Sequence, residues 1–271
     1  MVCAYRARAS RWPRPLFVDP WAEKLAGPDG HQIARDVDTR FPPMEAWLAV
    51  RVAYLDRLVG AAVDRLGVRQ IVILGAGYDT RAARLPRAGV QFFEVDHPAT
   101  QAAKRARLAE LDGYPVDAAT YVACDFELED PVARLVAGGL DARAPALVLW
   151  EGVVSYLTED AVRTTATRLA TGLDPRSLVA LEFLSKNYAT GVRVRDEDRA
   201  TRDLVGDLGE PIRFGTDDIL PLLYAAGFRW VRVHDFNELA LDLLGDYQRD
   251  RQFRFQRLAL AAARTPAAGW P

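Results

Sequence analysis

The chain has 271 residues, Lys+Arg 35 against Asp+Glu 37, and a formal net charge of −2. A hydrophobic content of 50% excludes a disordered chain, and the near-balance of charge removes the long-range attraction on which nucleic-acid binders depend. Three lysines, Lys24, Lys104 and Lys186, accompany an abundance of Arg and Ala, a bias that reflects genome composition more than a recognition surface. Cys3 and Cys124 cannot form a disulfide framework, and Cys124 reads as a small buried hydrophobe in TYVAC. There is no Cys/His spacing for zinc, so no metal is expected. No apolar run approaches the roughly 18 residues of a membrane span, and the first thirty residues carry no signal-peptide apolar stretch. These features point to a soluble cytoplasmic protein that acts on a small molecule, with no nucleic-acid or membrane partner and an open oligomeric state.

The segment up to about residue 43, rich in Arg, Pro and Trp, predicts short helices and turns. A long helix follows from Pro43 to Leu66, with Gly67 as its stop. Strands and helices then alternate. QIVILGAG leads into a short helix, QFFEVD into a helix from Pro98 to Leu111, and TYVACD into another. ALVLWEG precedes a helix from Glu159 to Gly172, and SLVALEFL follows. Strands apolar on both faces, alternating with amphipathic helices, predict a parallel sheet between helical layers. Residues 186–215 break the rhythm with charges and glycines, which suggests an inserted cap or lid. A helix from Asp217 to Ala226, the strand FRWVRVH, a short helix and the strand FRFQRLALAAA complete seven strands with a late hairpin. The expected organisation is one domain: helices over 1–67 covering the site, a core of 68–185 and 216–271, and the 186–215 insertion. By analogy this is the Rossmann-like class I methyltransferase sheet, although alternation alone also fits a dehydrogenase.

The first strand ends in Leu74-Gly75-Ala76-Gly77-Tyr78-Asp79. Glycines at a strand-to-helix turn suit a tight turn or a close ligand. The third glycine of a dinucleotide fingerprint is replaced by Thr80, with Arg81 next, which leaves little room for a pyrophosphate and disfavours a nicotinamide enzyme. Asp96 ends the second strand about 20 residues later, where such folds bind a ribose diol, although a cap before Pro98 explains it equally well. Asp125 and Phe126 follow the third strand, in a position that suits an adenine contact, and Glu151 follows the fourth. Three consecutive parallel strands ending in carboxylates line the edge where open α/β sheets bind ligands. Arg51 shares an apolar stripe with Leu48, Leu55, Leu58 and Ala62, a costly position for a charge without a partner. It forms either a structural salt bridge, for which Glu182 is the candidate, or a clamp on a ligand carboxylate.

Taken together, RPLFVDPWAEKLAG, LGAGYDTRAARL, FFEVDHP with a downstream lysine, CDFELED and WEGVVSYLTED resemble the leucine carboxyl methyltransferase-like family. Its bacterial members include polyketide carboxyl O-methyltransferases of the tetracenomycin type. The resemblance runs from about Arg6 to the last strand. It implies S-adenosyl-L-methionine (AdoMet) as cofactor, with Arg6 and Arg51 on its carboxylate and the turn of Gly75, Ala76 and Gly77 against it. It further implies Asp96 on the ribose, Asp125 and Phe126 on the adenine side, and Glu151 toward the amino group. Tyr156 and Arg51 would contact a substrate carboxylate as the catalytic pair. Ala9 stands where bacterial relatives often carry glutamate, and the phosphatase-binding features of eukaryotic members are not recognisable in 186–215.

The expected reaction is methylation of a small-molecule carboxylate, in secondary-metabolite or antibiotic biosynthesis. A carboxylate is ionised at neutral pH and needs no base, whereas a hydroxyl or phenol needs one. Of His31, His97 and His234, the last would be that base, since it ends a strand at the ligand edge; His97 reads as a helix start and His31 as a surface residue. A non-catalytic AdoMet-binding partner is the remaining alternative, against which the retained Glu151 and Tyr156 argue.

Overall fold

The computed structural model describes residues 1–192, 199, 202–203, 206, 211–245 and 255–266. Three helices come first: α1 (Val2–Ala9), α2 (Ala22–Asp38) with a non-helical kink at Gly27, and α3 (Met44–Leu66). Gly67 ends α3 in the left-handed region at φ 67°, the conformation that glycine adopts without a Cβ penalty. The core elements follow as β1 (Gln70–Leu74), α4 (Arg81–Arg84), β2 (Gln91–Asp96), α5 (Pro98–Ala109), β3 (Thr120–Ala123) and α6 (Pro131–Ala137). After them come β4 (Ala146–Trp150), α7 (Glu159–Gly172), β5 (Leu178–Leu184), α8 (Lys186–Thr190), α9 (Leu220–Ala226), β6 (Trp230–Asp235), α10 (Phe236–Leu244) and β7 (Gln256–Ala262).

The strands form one sheet in the order β3-β2-β1-β4-β5-β7-β6, with β7 antiparallel to both of its neighbours and the remaining pairs parallel. This is the expected seven-stranded, mostly parallel arrangement with a late hairpin. Both faces are buried, which is why the strands read as continuous apolar runs. In β1 the alternation assigns the layers: Ile71 and Ile73 pack under α3 with Leu58, Val59 and Ala62, while Val72 and Leu74 point to the layer of α6, α7 and α9.

Predicted boundaries shift where capping chemistry intervenes. The helix expected from Asp217 begins at Leu220, because the Asp218 carboxylate accepts from Leu220 N at 2.9 Å and Pro221 sits in the first turn. The helix expected to reach Leu111 ends at Ala109. The last strand begins at Gln256. Of the insertion expected at 186–215, α8 and residues 211–215 are described, and most of the remainder lies outside the described residues. No helix among the described residues is long and apolar enough to cross a membrane.

Candidate active site

The C-terminal ends of β1, β2, β4 and β5 open into a cavity of about 800 Å³, closed on the far side by α1, α2 and the start of α3. Arg6, Arg51, Gly75, Ala76, Gly77, Asp96, Asp125, Phe126, Glu151 and Tyr156 all line it, so every site residue expected from the sequence reaches one space. Parallel strands bring the strand-end residues together, because their last residues share a single edge, while Arg6 and Arg51 arrive from α1 and α3.

The two glycines of the first turn do different things. Gly75 has φ 64°, and a Cβ there would stand 2.1 Å from Val153 Cγ2, so this position is closed by the protein itself. Gly77 has φ 47°, and the nearest atom to a Cβ would be the Gly75 oxygen at 4.0 Å, so this position faces open space in the cavity. Asp96 braces the turn: its Oδ2 accepts from Gly77 N at 2.5 Å and its Oδ1 from His97 N at 2.7 Å. Burial raises the Asp96 carboxyl pKa, partly offset by those two N–H donors. Asp96 thus lines the cavity and ties the glycine turn to the start of α5, whose N-cap is His97 and not Asp96. His97 caps α5, accepting at Nδ1 from Ala99 N at 3.3 Å.

Arg51 makes the salt bridge anticipated for it, and makes it twice. Its Nη1 lies 3.0 Å from Glu182 Oε2 and its Nε 2.6 Å from Glu151 Oε1. Glu151 also meets Arg81 Nη1 at 2.7 Å. Arg81 continues to Asp79 and to Asp56 at 2.8 Å; Arg84 joins Asp56 at 2.7 Å and lies 3.8 Å from Asp19. Asp19 in turn holds Arg6 Nε at 2.9 Å, and Arg6 Nη2 donates to the Tyr78 carbonyl at 2.6 Å. Five carboxylates thus meet four guanidiniums beneath the cavity. Burial opposes ionisation of Asp79, Glu151 and Glu182. In Asp79 it is outweighed by Arg81, Arg6 and Lys104, which hold the carboxyl at about 2. In Glu151 it is outweighed by Arg81 and Arg51, and the pKa falls. In Glu182 burial prevails over Arg51, and the pKa rises.

Sequence reasoning missed Asp19, Asp56, Asp79 and Arg81 as supports of the site. Asp79 and Arg81 were visible within GYDTR, but the partners of Arg81 come from α3, as Asp56, and from the end of β4, as Glu151. It also missed the apolar end of the cavity, where Ile33, Met44, Trp47, Tyr188, Ile212 and Phe255 converge from five separate segments. Tyr188 stacks on Phe255 there, with ring centroids 4.2 Å apart.

The expectation for His234 is corrected. It does not line the cavity. β7 is inserted between β5 and β6, with Glu182 opposite Leu258 and Leu258 opposite His234. Two strand spacings, roughly 10 Å, therefore separate His234 from the end of β5. It packs instead against the Tyr54 ring of α3 at 5.7 Å, and burial followed by Arg232 lowers its pKa. His31 lies 3.3 Å from Glu23 and does not line the cavity. No group of His, Cys, Asp and Glu suited to a metal ion occurs among the described residues.

The site suits a ligand with a net positive charge that also carries both an anionic and a cationic end. The buried cluster holds one more carboxylate than guanidinium, Gly77 leaves its backbone open, and Arg51 and Glu151 bring a cation and an anion side by side at the cavity wall. AdoMet has this charge pattern: a sulfonium, an ammonium and a carboxylate.

Comparison with known proteins agrees. The leucine carboxyl methyltransferase family profile matches residues 1–170. A Mycolicibacterium vanbaalenii protein named as an S-adenosyl-L-methionine-dependent methyltransferase is 34% identical over 245 residues, covering 84% of this chain and 76% of its own. A Mycobacterium tuberculosis protein of the same description is 37% identical over 223 residues, covering 74% and 71%. Among solved structures, a DUF574 family protein from Streptomyces avermitilis superposes with a TM-score of 0.65 at 14% identity, covering 97% of each chain. The plantazolicin methyltransferase BamL, solved with a triazolic desmethylPZN analogue and S-adenosylhomocysteine, gives 0.53 at 10% identity, again covering 97% of each chain. At such identities these likenesses show the fold, that of class I methyltransferases. The chain belongs to the leucine carboxyl methyltransferase family and is an AdoMet-dependent methyltransferase.

Proposed function

We propose that the enzyme methylates a carboxylate of a small, largely apolar acceptor, giving a methyl ester, within secondary metabolism of the polyketide type. The observation that carries this reading is the composition of the cavity wall. Its acceptor end offers the Arg51 guanidinium and the Tyr156 hydroxyl, and His97, beside Asp96, is the one histidine of the described residues that lines it. His97 is occupied as the N-cap of α5, accepting from Ala99 N, so the wall offers no histidine free to act as a base, which suits an acceptor that arrives already ionised. The hydroxyl alternative with His234 as base loses its support, because that side chain lies two strands away.

The cofactor roles follow the same geometry. Glu151 and Asp96 would hold the ammonium and the ribose, Asp125 and Phe126 the adenine side, and Arg51 with Arg6 the carboxylate. When bound, AdoMet supplies an electrophilic methyl group, so the chain's own task is alignment and exclusion of water, worth up to roughly 7–11 kcal/mol in favourable cases. The helices of 1–67 would cover both ends, with Arg6 and Arg51 toward the cofactor and Ile33, Met44 and Trp47 toward the acceptor. In the 186–215 region, Tyr188 and Ile212 reach the acceptor end, which supports its reading as a cap.

The test is turnover against pH on an accepted acid, for wild type, Tyr156→Phe and His234→Ala. A carboxylate of reference pKa near 4 stays ionised, so the wild-type rate should be flat from about pH 6 to 8. Tyr156→Phe should lower the rate while cofactor affinity holds, and His234→Ala should match wild type. A rate that climbs through that window and disappears in His234→Ala refutes the proposal.

A further inference from the structure

We infer that Glu182, Gln256 and Trp47 form a polar subsite at the acceptor end of the cavity, which receives a hydroxyl group of the acceptor beside its carboxylate. The inference rests on the carboxylate reading above and names the acceptor more closely: an apolar hydroxy acid whose hydroxyl and carboxyl sit on the same or neighbouring carbons.

The β5–β7 register puts Glu182 opposite Leu258 and Leu184 opposite Gln256. Residues two apart on a strand share a face, so the Glu182 and Gln256 side chains emerge on the same side as diagonal neighbours. Trp47 lines the same cavity from α3, with the Arg51 guanidinium, itself bound to Glu182, 5.0 Å over its ring. All three line the cavity, and Glu182 and Gln256 are only 5% and 4% exposed. Each carries a buried polar atom without a hydrogen-bond partner: Glu182 Oε1, Gln256 Oε1 and Trp47 Nε1. The other oxygen of Glu182 is fully engaged, accepting from Arg51 Nη1 and from Gly152 N, both at 3.0 Å.

Buried polar atoms are nearly always satisfied, so two orphan acceptors and one orphan donor call for a complementary group. A hydroxyl donates once and accepts twice, and so can serve either carbonyl-type oxygen together with the indole N–H. A ligand carbonyl would answer only Trp47, and an ammonium only the two oxygens. Position limits the ligand further. The two oxygens of Glu182 belong to one carboxylate, and Arg51 holds the second, so a hydroxyl at Oε1 lies alongside the cation proposed to orient the substrate's carboxylate. Beyond it the walls are Ile33, Met44, Leu184, Tyr188, Ile212 and Phe255, which suit a hydrocarbon or aromatic body.

The experiment titrates salicylic acid and benzoic acid into the enzyme loaded with S-adenosylhomocysteine, using wild type, Gln256→Leu, Glu182→Gln and the double variant. Phenol and catechol serve as a second pair without the carboxylate. Wild type should bind salicylate about tenfold more tightly than benzoate, the scale of one hydrogen bond to a charged group. Glu182→Gln keeps an oxygen for Arg51 and Gly152 and turns an NH2 toward the cavity, so it should lower that ratio by weakening salicylate alone; Gln256→Leu should lower it less, and the double variant should bring it close to one. Equal binding of the two acids by wild type, or a preference that survives in the double variant, overturns the subsite; ordered water would then be what satisfies these atoms. A preference for catechol over phenol that vanishes in the double variant, with neither acid binding, keeps the subsite and overturns the carboxylate reading. Binding of none of the four compounds overturns the subsite.

Discussion

Arg51 Nη1 stands 3.0 Å from Glu182 Oε2, a buried pair that ties the middle of α3 to the end of β5 across 131 residues of sequence. Removing one partner of such a pair leaves an uncompensated charge, whereas removing both leaves an apolar contact. Glu151 keeps Arg81 whatever happens to Arg51, so the orphan is Glu182. Arg51→Met should therefore destabilise the fold by about 3–5 kcal/mol in urea unfolding. Arg51→Met combined with Glu182→Leu should recover a substantial part of that loss. Equal midpoints for the single and double variants would show that the pair does not support the fold.

A second prediction concerns Asp96, whose carboxylate braces Gly77 and His97 through backbone hydrogen bonds at the cavity wall. Asp96→Ala should weaken AdoMet binding by on the order of 1.5–3 kcal/mol, read by calorimetric titration. Unchanged affinity would remove Asp96 from the cofactor site.

The two turn glycines should separate cleanly. Alanine at Gly75 would drive a Cβ into Val153 in addition to occupying a positive φ, whereas alanine at Gly77 meets only the backbone penalty of roughly 1–2 kcal/mol. Gly75→Ala should lower the melting temperature more than Gly77→Ala. Gly77→Ala should show its larger effect on AdoMet affinity, since that position faces the cavity. Identical melting shifts would contradict the close contact with Val153.

Stability should depend on pH through Glu94, which is buried against Lys104 under α5. Burial raises this carboxyl to about 7, although Lys104 pulls it the other way. The folded state then holds its proton more tightly than the unfolded chain, whose carboxyl titrates near 4.5. The resulting stabilisation is fully present below about 4.5 and is lost as pH rises through about 7. Denaturant unfolding at pH 5 and pH 7.5 should show Glu94→Gln with a flatter pH dependence than wild type across that interval. Parallel curves for the two proteins would exclude Glu94 as the source.

The order of strands and helices, the glycine turn and the three strand-end acids were readable along the chain, because each is a local pattern. Burial on both faces makes parallel strands uniformly apolar, a positive-φ turn demands glycine, and successive strand ends must share an edge. The helical stripe around Arg51 even signalled that this charge required a partner. Which partners it found was a different kind of question. Glu182 and Glu151 reach Arg51 only because β4 and β5 lie side by side beneath α3, a matter of long-range packing that periodicity does not encode. His234 shows the same division from the other side. Its place near the end of a strand was legible, but its distance from the chemistry was decided by β7 inserting itself between β5 and β6. The unpartnered atoms of Glu182, Gln256 and Trp47 likewise belong to the tertiary structure, because satisfaction of a buried polar group depends on every neighbour in space.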